Sequence, residues 1–221
     1  MTLQEAIRAR HSVRAYENKP LEAAAKSELL QTIQACNRES GLHIQLITDE
    51  PKAFDGLLPH YGGFSGVTNY IALIGPKGRD LDETCGYYGE KLVLLAQQLG
   101  LNTCWVGATY KKIPSVFQIG KDETLTAVIA LGYGANQGKT RKSKTMADVV
   151  RTDRELPDWF RSGVEAALLA PTAVNQQKFT LTLKGDTVTA KAGLGFYSKM
   201  DLGIVKYHFE IGAGDYPFTW G

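Results

Sequence analysis

The order of elements in the first half of the sequence recurs, in weaker form, in the second half. In the first half, a helix with apolar periodicity precedes a polar loop and an alternating strand, in the stretches QTIQAC, NRESG and HIQLIT. In the second half, the same order is found in VEAALLA, PTAVNQQK and FTLTLKG. A strongly apolar helical run follows in each half, and it ends at Leu99-Gly100 and at Ile211-Gly212. The pattern indicates an internal duplication, with chance similarity of two α–β orders as the alternative.

Further elements are predicted from caps, breakers and periodicity. Thr2 and Glu5 form the capping box of a first helix that extends to about Arg10. The other predicted helices are at residues 22–36, 83–99 and 158–170, with a further helical stretch from Ile113. Strands are predicted at HIQLIT, 69–75 and FTLTLKG, and a central strand at 125–134. NRESG is predicted to be a loop and NTCWVG a short connection.

Composition and charge argue against several classes of function. The chain has 221 residues and 43% hydrophobic side chains, enough for a sizeable core. A net charge of +2 is too small to favour nucleic acid as a partner. We find no apolar run of about 18 residues and no signal-peptide core, so we expect no membrane contact and a cytoplasmic location. The three cysteines and four histidines lack the paired spacing of metal ligands, so we expect no metal site.

Two clusters of basic side chains adjoin predicted core elements. The first follows the first helix and consists of Arg10, His11, Ser12 and Arg14. Its guanidinium groups and hydroxyl suit the oxygens of a phosphate. The second follows the central strand and contains Lys139 and Arg141. Each has an alternative interpretation, because arginine near a helix C-terminus also complements the helix dipole and a basic loop is commonly solvated.

Two loops have a composition that suits a planar ligand. Gly107, at the end of NTCWVG, would let a backbone N–H approach such a ligand closely, although a tight turn with Trp105 in the core explains the same residues. Cys104 has no base near it in the sequence and is not predicted to be a nucleophile. The amides of residues 171–177 suit the edge of a heterocycle, whereas a polar loop between helix and strand uses the same residue types.

Together these motifs resemble those of the FMN-dependent nitroreductase superfamily, and most closely its two-lobed members. The resemblance rests on RHSVRAY at 10–16, LGLNTCWVG at 99–107, AVIALGYGANQGKTRKS at 127–143 and APTAVNQQKF at 170–179. It implies an α+β fold in which a mixed, mainly antiparallel sheet is flanked by helices. It also implies FMN as the cofactor and NADH or NADPH as the co-substrate.

The resemblance also implies which residues bind the cofactor. Family members bind FMN through an R-x-S-x-R/K motif, a late K-x-R element on the phosphate, and a Pro-Ser-x-x-Asn loop. A glycine backbone N–H faces flavin N5, where hydride arrives. The corresponding residues here are Arg10, His11, Ser12, Arg14, Val106, Gly107, Lys139, Arg141, Pro171, Thr172, Ala173 and Asn175.

The position of the Pro-Ser-x-x-Asn loop departs from the usual family pattern. In ordinary members the loop follows the second helix and reaches the partner subunit's flavin, but here NRESG follows that helix. The loop follows the matching helix of the second half, which lacks R-x-S-x-R. We therefore expect a lobe of residues 1–150 with the phosphate site and a shorter lobe of residues 151–221 that supplies the loop. They would form a monomeric pseudo-dimer with one flavin site; a homodimer with the loop supplied in trans is the alternative.

The activity that the resemblance implies is hydride transfer from NAD(P)H, through the flavin, to a small electron-poor acceptor of nitroaromatic or quinone type. The flavin supplies this chemistry, so no catalytic side chain is predicted. The segment GLGFYSKMDLGIVKYHFEIGAG is expected to line the cleft. Two other functions stay open: a flavin-binding protein without turnover, used for storage or sensing, and a ligand-free interaction protein with basic clusters at its surface.

Overall fold

Two four-stranded sheets and seven α-helices organise the part of the chain that the computed structural model describes, residues 1–152 and 155–221. The helices are α1 (Leu3–Ala9), α2 (Ala23–Ser40), α3 (Leu57–Tyr61), α4 (Leu81–Gln98), α5 (Met146–Val149), α6 (Asp158–Leu168) and α7 (Ser198–Ala213). The strands are β1 (Gln45–Ile47), β2 (Asn69–Pro76), β3 (Asn102–Val106), β4 (Glu123–Gly132), β5 (Val150–Arg151), β6 (Phe179–Lys184), β7 (Thr187–Ala192) and β8 (Thr219–Trp220). The expected α+β fold with helices flanking a mainly antiparallel sheet is confirmed.

The first sheet has the strand order β1-β2-β4-β3, and every pair of adjacent strands in it is antiparallel. Strand β4 is an inner strand, as its β-branched run predicts. Successive side chains of a strand point to opposite faces, and β2 places Ile71 and Leu73 in one core cluster and Ala72 and Ile74 in another. The first cluster includes apolar residues of α2 and α4. Both faces of this sheet are therefore buried.

The second sheet has the order β5-β6-β7-β8, with an antiparallel central pair and parallel outer pairs. Its core contains fully buried residues of α6 and α7, among them Phe160 and Phe209. The alternating strand FTLTLKG is confirmed as β6, which places Leu181 in this core. The capping box of the first helix is confirmed too, because Thr2 and Glu5 each accept a hydrogen bond from the other's backbone N–H.

The predicted loop at NRESG is wrong, because α2 continues through these residues to Ser40. The helix ends only at Gly41, whose φ of 72° is in the left-handed region that favours glycine at a C-cap. Within the last turn, the Asn37 amide pairs with both backbone groups of Ile44 at the start of the sheet. The polar composition of NRESG therefore marks an exposed last turn and not a loop.

Two further predictions between α4 and β4 are wrong. The stretch NTCWVG is not a plain connection, because residues 102–106 form strand β3 along the edge of β4. No helix begins at Ile113, because the backbone of Gln118 pairs with the side chain of Gln45 and the N–H of Gly120 donates to Glu123. Side chains from β1 and β4 thus satisfy backbone groups that a helix would have paired internally.

Helices α4 and α7 pack with their backbones in contact. A methyl group on Gly86 would overlap the carbonyl of Met200 and approach the N–H of Ile204. A methyl group on Gly203 would overlap the carbonyl of Glu83 and approach the N–H of Tyr87. The residues that meet Gly86 lie three positions before and one position after Gly203. In the same way, the residues that meet Gly203 lie three positions before and one position after Gly86. This reciprocal contact is the local pattern of a two-fold axis between the helices.

Replacing Gly203 by alanine is expected to lower the free energy of unfolding by about 2 kcal/mol. Overpacking against backbone atoms that cannot rotate away costs about 3 kcal/mol, and the better helix propensity of alanine offsets about 1 kcal/mol. Urea titration followed by circular dichroism measures the change. Gly78→Ala is the control, because its nearest neighbouring atom lies at 3.9 Å and its φ is not positive. Equal urea midpoints for the two variants would contradict close backbone packing of α4 on α7.

Candidate functional site

The segment after α1 is extended and lies beside β3. Arg10 is the C-cap of the helix, and the N–H of Val13 donates to the carbonyl of Thr103 at 3.0 Å. Because side chains alternate along an extended chain, Val13 points into the core while Ser12 and Arg14 line a cavity. The R-x-S-x-R spacing thus places its polar members on one side.

This cavity, called here the basic cavity, has a volume of about 460 Å³. Its lining residues are Arg10, His11, Ser12, Arg14, Ala15, Gly63, Asn136, Gly138, Lys139, Arg141, Pro171, Thr172, Val174 and Asn175. Arginine and lysine contribute four of these side chains, and none of the described lining residues is a carboxylate. The cavity is therefore suited to an anion.

Arg141 is held by groups from the second half of the chain. Its Nη1 donates to Asn175 Oδ1 at 2.7 Å, and its Nη2 donates to the carbonyls of Ala170 at 2.6 Å and Leu168 at 3.2 Å. Burial, and then the positive charge of Arg10, lower the pKa of Arg141 to about 10. Three of its five N–H donors are used in these bonds, so two remain for a ligand.

Arg10 is 5% exposed, and its Nε is buried with no hydrogen-bond partner. The nearest carboxylate is Glu90, whose Oε1 lies 3.8 Å from that Nε, too far for a hydrogen bond. Burial lowers the pKa of Arg10, while the charge of Glu90 partly opposes this effect. Burial also lowers the pKa of His11, with smaller contributions from Arg10 and Arg141. Arg10, His11 and Arg141 are thus held close enough to influence one another's ionisation.

The loop after β4 packs directly on the basic segment. Gly138 has a φ of 75°, and a methyl group there would lie 2.7 Å from Cβ of His11. Asn136 closes this turn by accepting the N–H of Gly138 at 2.9 Å. A side chain at 138 would therefore push Lys139 and Arg141 away from Arg10.

The loop at residues 171–177 has an unusual backbone. Val174, Asn175 and Gln177 all have positive φ, between 46° and 55°, which is rare for a β-branched residue such as Val174. Val174 is 94% exposed, and its side chain lines the cavity. The buried amide of Gln177 holds the loop through bonds to Lys142, Lys144 and Asn175. Strained residues that the surroundings hold in place are often found at functional sites.

A second, smaller cavity of about 120 Å³, called here the inner cavity, adjoins the first. Both are lined by Ser12, Arg14, Pro171, Thr172 and Val174. The inner cavity is also lined by Trp105, Val106, Gly107, Ala127, Ala173, Tyr197, Met200, Asp201 and Ile204. The ring of Tyr197 lies directly against Gly107, where a Cβ would overlap it. Tyr197 itself has a φ of 56° as the N-cap of α7.

Asp201 fixes the 171–177 loop to α7. Its carboxylate accepts the backbone N–H of Ala173 at 2.9 Å and the amide of Gln176 at 2.7 Å. Asp201 is buried, and burial raises its pKa to about 6, although the two hydrogen bonds oppose the shift. The midpoint of its ionisation therefore lies about two units above that of an ordinary aspartate.

All the predicted cofactor residues lie around the two cavities. Arg10, His11, Ser12, Arg14, Lys139, Arg141, Pro171, Thr172 and Asn175 line the basic cavity, and Val106, Gly107 and Ala173 line the inner cavity. Their contact with a cofactor stays a prediction. The amides expected to meet a heterocycle, in Asn175, Gln176 and Gln177, bond instead to neighbouring protein groups.

Sequence reasoning missed several lining residues. Asn136 lies within the motif AVIALGYGANQGKTRKS, but no sequence pattern predicts that its side chain closes the turn. Tyr197 and Asp201 lie in the C-terminal segment expected to line the cleft, and the structure confirms that position. Gly63 had no sequence signal, because it reaches the cavity only through the pairing of Ser65 with Arg14 and Tyr16.

Replacing Asp201 by asparagine is expected to change how stability depends on pH. The folded pKa of about 6 exceeds the unfolded value of about 3.9, so the folded state binds the proton more tightly. The free energy of unfolding of the wild-type protein should therefore fall by about 2 kcal/mol relative to that of Asp201→Asn as the pH rises from 4 to 7. Urea unfolding of both proteins across this range measures the difference.

Asp148→Asn is the matched control for this measurement. Asp148 accepts hydrogen bonds from the backbone N–H and hydroxyl of Thr145, which lower its pKa. The difference in free energy of unfolding between wild type and Asp148→Asn should change with pH in the opposite direction. An ionised carboxylate with a lowered pKa stabilises the folded state, and this stabilisation is lost as the pH falls. Parallel pH profiles for wild type and Asp201→Asn would contradict the raised pKa.

The described residues offer neither a metal site nor a membrane-spanning helix. Across 1–152 and 155–221, no group of three or more histidine, cysteine or carboxylate side chains is arranged to hold a metal ion. Within the same ranges, every helix is too short or too polar to cross a bilayer.

Comparison with known proteins gives a consistent result. The family model described as "Putative TM nitroreductase" matches residues 2–213. No curated protein sequence matches the chain. A solved "putative nitroreductase" from Thermotoga maritima is 25% identical, with a TM-score of 0.69, and the match covers 95% of this chain and 82% of that one.

Shorter solved structures share part of the fold. A "putative nitroreductase in complex with FMN" from Desulfovibrio desulfuricans is 20% identical, with a TM-score of 0.56 over 71% of this chain and 99% of that one. A "Putative NADH dehydrogenase/NAD(P)H nitroreductase" from Bacteroides thetaiotaomicron is 18% identical, with a TM-score of 0.55 over 69% of this chain and 98% of that one. Because the family model spans nearly the whole chain, the protein belongs to the nitroreductase superfamily.

Proposed function

We propose that this protein is an FMN-dependent oxidoreductase that uses NAD(P)H to reduce a small electron-poor molecule, such as a nitroaromatic or a quinone. The observation that supports this most directly is the basic cavity, in which the buried Arg10 has an unpaired Nε. Solved relatives described as nitroreductases include one in complex with FMN. Another is described as an NAD(P)H nitroreductase.

The basic cavity fits the phosphate of FMN. Arg10 and Arg141 offer guanidinium N–H donors, and Ser12 and Lys139 lie along the same wall. Charge-assisted bonds from arginine are the strongest that a phosphate receives in proteins. Asn175 would act on the cofactor through Arg141, because its amide oxygen already accepts from that guanidinium.

The inner cavity would hold one edge of the flavin ring. Gly107 lines the inner cavity and has no side chain of its own to cover its backbone N–H, and Pro171 and Thr172 border both cavities. Arg14 is exposed, and its guanidinium lies 5.9 Å from the centre of the Phe64 ring, so it would be able to stabilise negative charge on the flavin ring. When bound, FMN supplies the hydride chemistry, and the protein orients the ring.

A second candidate is a flavin-binding protein without turnover. The observation that favours it is the ring of Tyr197, which lies against Gly107 at the inner cavity. If that ring stayed in place beside bound FMN, it would exclude a nicotinamide from this side. The two candidates differ in whether NAD(P)H reduces the bound flavin.

We further propose that the chain is a fused pseudo-dimer of two lobes, residues 1–150 and 151–221, with one flavin site. The reciprocal contacts of Gly86 and Gly203 support a two-fold relation between α4 and α7. The shorter solved relatives are covered almost completely while matching about 70% of this chain. Both lobes contribute to the basic cavity, through Arg10 and Asn175.

The proposed activity is tested on protein incubated with FMN and then gel-filtered. We expect retained flavin absorbance that bleaches when NADH or NADPH is added without oxygen. The double variant Arg10→Ala/Arg14→Ala is expected to weaken FMN binding at least about tenfold, because it removes two cations from the cavity. Fluorescence titration of FMN measures the affinity.

Arg8→Ala is the control, because Arg8 is an exposed residue of α1 that does not line either cavity. It should leave FMN affinity unchanged. Retained flavin that does not bleach would favour binding without turnover. Failure of the wild-type protein to retain flavin would contradict both candidates.

The fused architecture predicts a monomer at micromolar concentration with one FMN per chain. The face of α4 that contains Gly86 is covered by α7 of the same chain. Light scattering coupled to gel filtration, with flavin content from absorbance, measures mass and stoichiometry together. An obligate dimer with two FMN would contradict the pseudo-dimer.

A further inference from the structure

A fully buried carboxylate, Glu90 of α4, lies beneath the basic cavity. Its Oε2 accepts the indole N–H of Trp105 at 2.8 Å, and its Oε1 lies 2.8 Å from Nε2 of His208 on α7. Both Glu90 and His208 are 0% exposed. Glu90 is therefore fixed by two close hydrogen bonds and has Arg10 as a third, more distant neighbour.

The hydrogen bonds of His208 determine how many protons the side chains of Glu90 and His208 carry between them. Nδ1 of His208 lies 3.1 Å from the carbonyl oxygen of Ala166, which can only accept, so Nδ1 carries a hydrogen. The short contact between Nε2 and Glu90 then requires one further proton between them, on either the imidazole or the carboxylate. In both arrangements the pair of side chains has no net charge.

Glu90 and His208 together, having no net charge, therefore do not cancel the positive charge of Arg10. The 3.8 Å separation of Arg10 Nε from Glu90 exceeds a hydrogen bond, and no described group accepts from that Nε. If no proton were shared with Glu90, its uncompensated negative charge in this buried place would attract Arg10 into a direct ion pair. The bond to His208 prevents this by sharing a proton with the carboxylate.

We propose that Glu90 and His208 are positioning residues that form a neutral support under Arg10 and leave its charge available to a phosphate group in the basic cavity. This rests on the proposed function and extends it to two residues that do not line the cavity. The support joins both lobes, because Glu90 and Trp105 come from the first lobe and His208 and Ala166 from the second. Phosphate binding thereby depends on how α7 packs on α4.

The test compares dissociation constants for FMN and for riboflavin, which lacks the phosphate, by fluorescence titration. In His208→Gln, Glu90 loses its proton-sharing partner and attracts Arg10, so the FMN constant is expected to rise about tenfold or more. The riboflavin constant should change by less than about twofold. Adding Glu90→Gln to this variant removes the negative charge and should restore FMN binding to within about threefold of wild type.

Glu90→Gln alone is a second variant, which tests whether Glu90 cancels the charge of Arg10 even if His208→Gln does not fold. Its amide can donate to Nε2 of His208 and accept from Trp105, so the support stays neutral and the FMN constant should stay within about twofold of wild type. Glu210→Gln is the matched control. Glu210 is a carboxylate of α7 that accepts from Tyr87 and Trp220 and has no contact with Arg10.

Three results would overturn the proposal. His208→Gln could weaken FMN and riboflavin equally, the double variant could fail to recover, or Glu90→Gln could bind FMN tenfold more tightly. The last result would show that Glu90 cancels the charge of Arg10.

Wild-type protein that binds neither flavin would contradict the proposed function instead. Inorganic phosphate then becomes the probe. The rise in melting temperature that phosphate gives to the wild-type protein should be lost in His208→Gln and return in the double variant. The opposite pattern would overturn the proposal.

Discussion

The packing of α4 directly on α7 is the contact on which the rest of the structure depends. Gly86 and Gly203 let the two backbones touch, and this distance brings Glu90 within hydrogen-bond reach of His208. The same packing places the start of α7, with Asp201, beside the loop that completes the cavity. A larger residue at either glycine would separate these groups together, because helix backbones move as rigid units.

The site concentrates positive charge in a partly buried place. Burial lowers the pKa of both Arg10 and Arg141, and the positive charge of Arg10 lowers the pKa of Arg141 further. Such an arrangement costs free energy, which a bound anion would offset. The strained backbone of residues 174–177 is another cost, which the hydrogen bonds of Gln177 and Asp201 offset.

Most of the fold could be predicted from the sequence wherever one local signal dominated. The capping box at Thr2 and the alternating pattern of β6 depend on neighbours within a few residues, and both are confirmed. The errors lie where distant groups decide the local structure. Residues 102–106 become a strand because β4 offers an edge, and Gln118 is not helical because Gln45 pairs with its backbone. Neither partner is visible in the local pattern.

The sequence by itself determined the composition of the candidate site, because R-x-S-x-R spacing, the basic loop and the proline-asparagine loop are each local motifs. Only the tertiary structure decided that Arg10 and Asn175 line one cavity, that the amide of Asn175 is used by Arg141, and that Arg10 is left unpaired above Glu90. Pairing and net charge at a buried site depend on distances of a few ångströms between segments far apart in the chain. Those distances are determined by the packing of helices and sheets and not by the spacing of residues along the sequence.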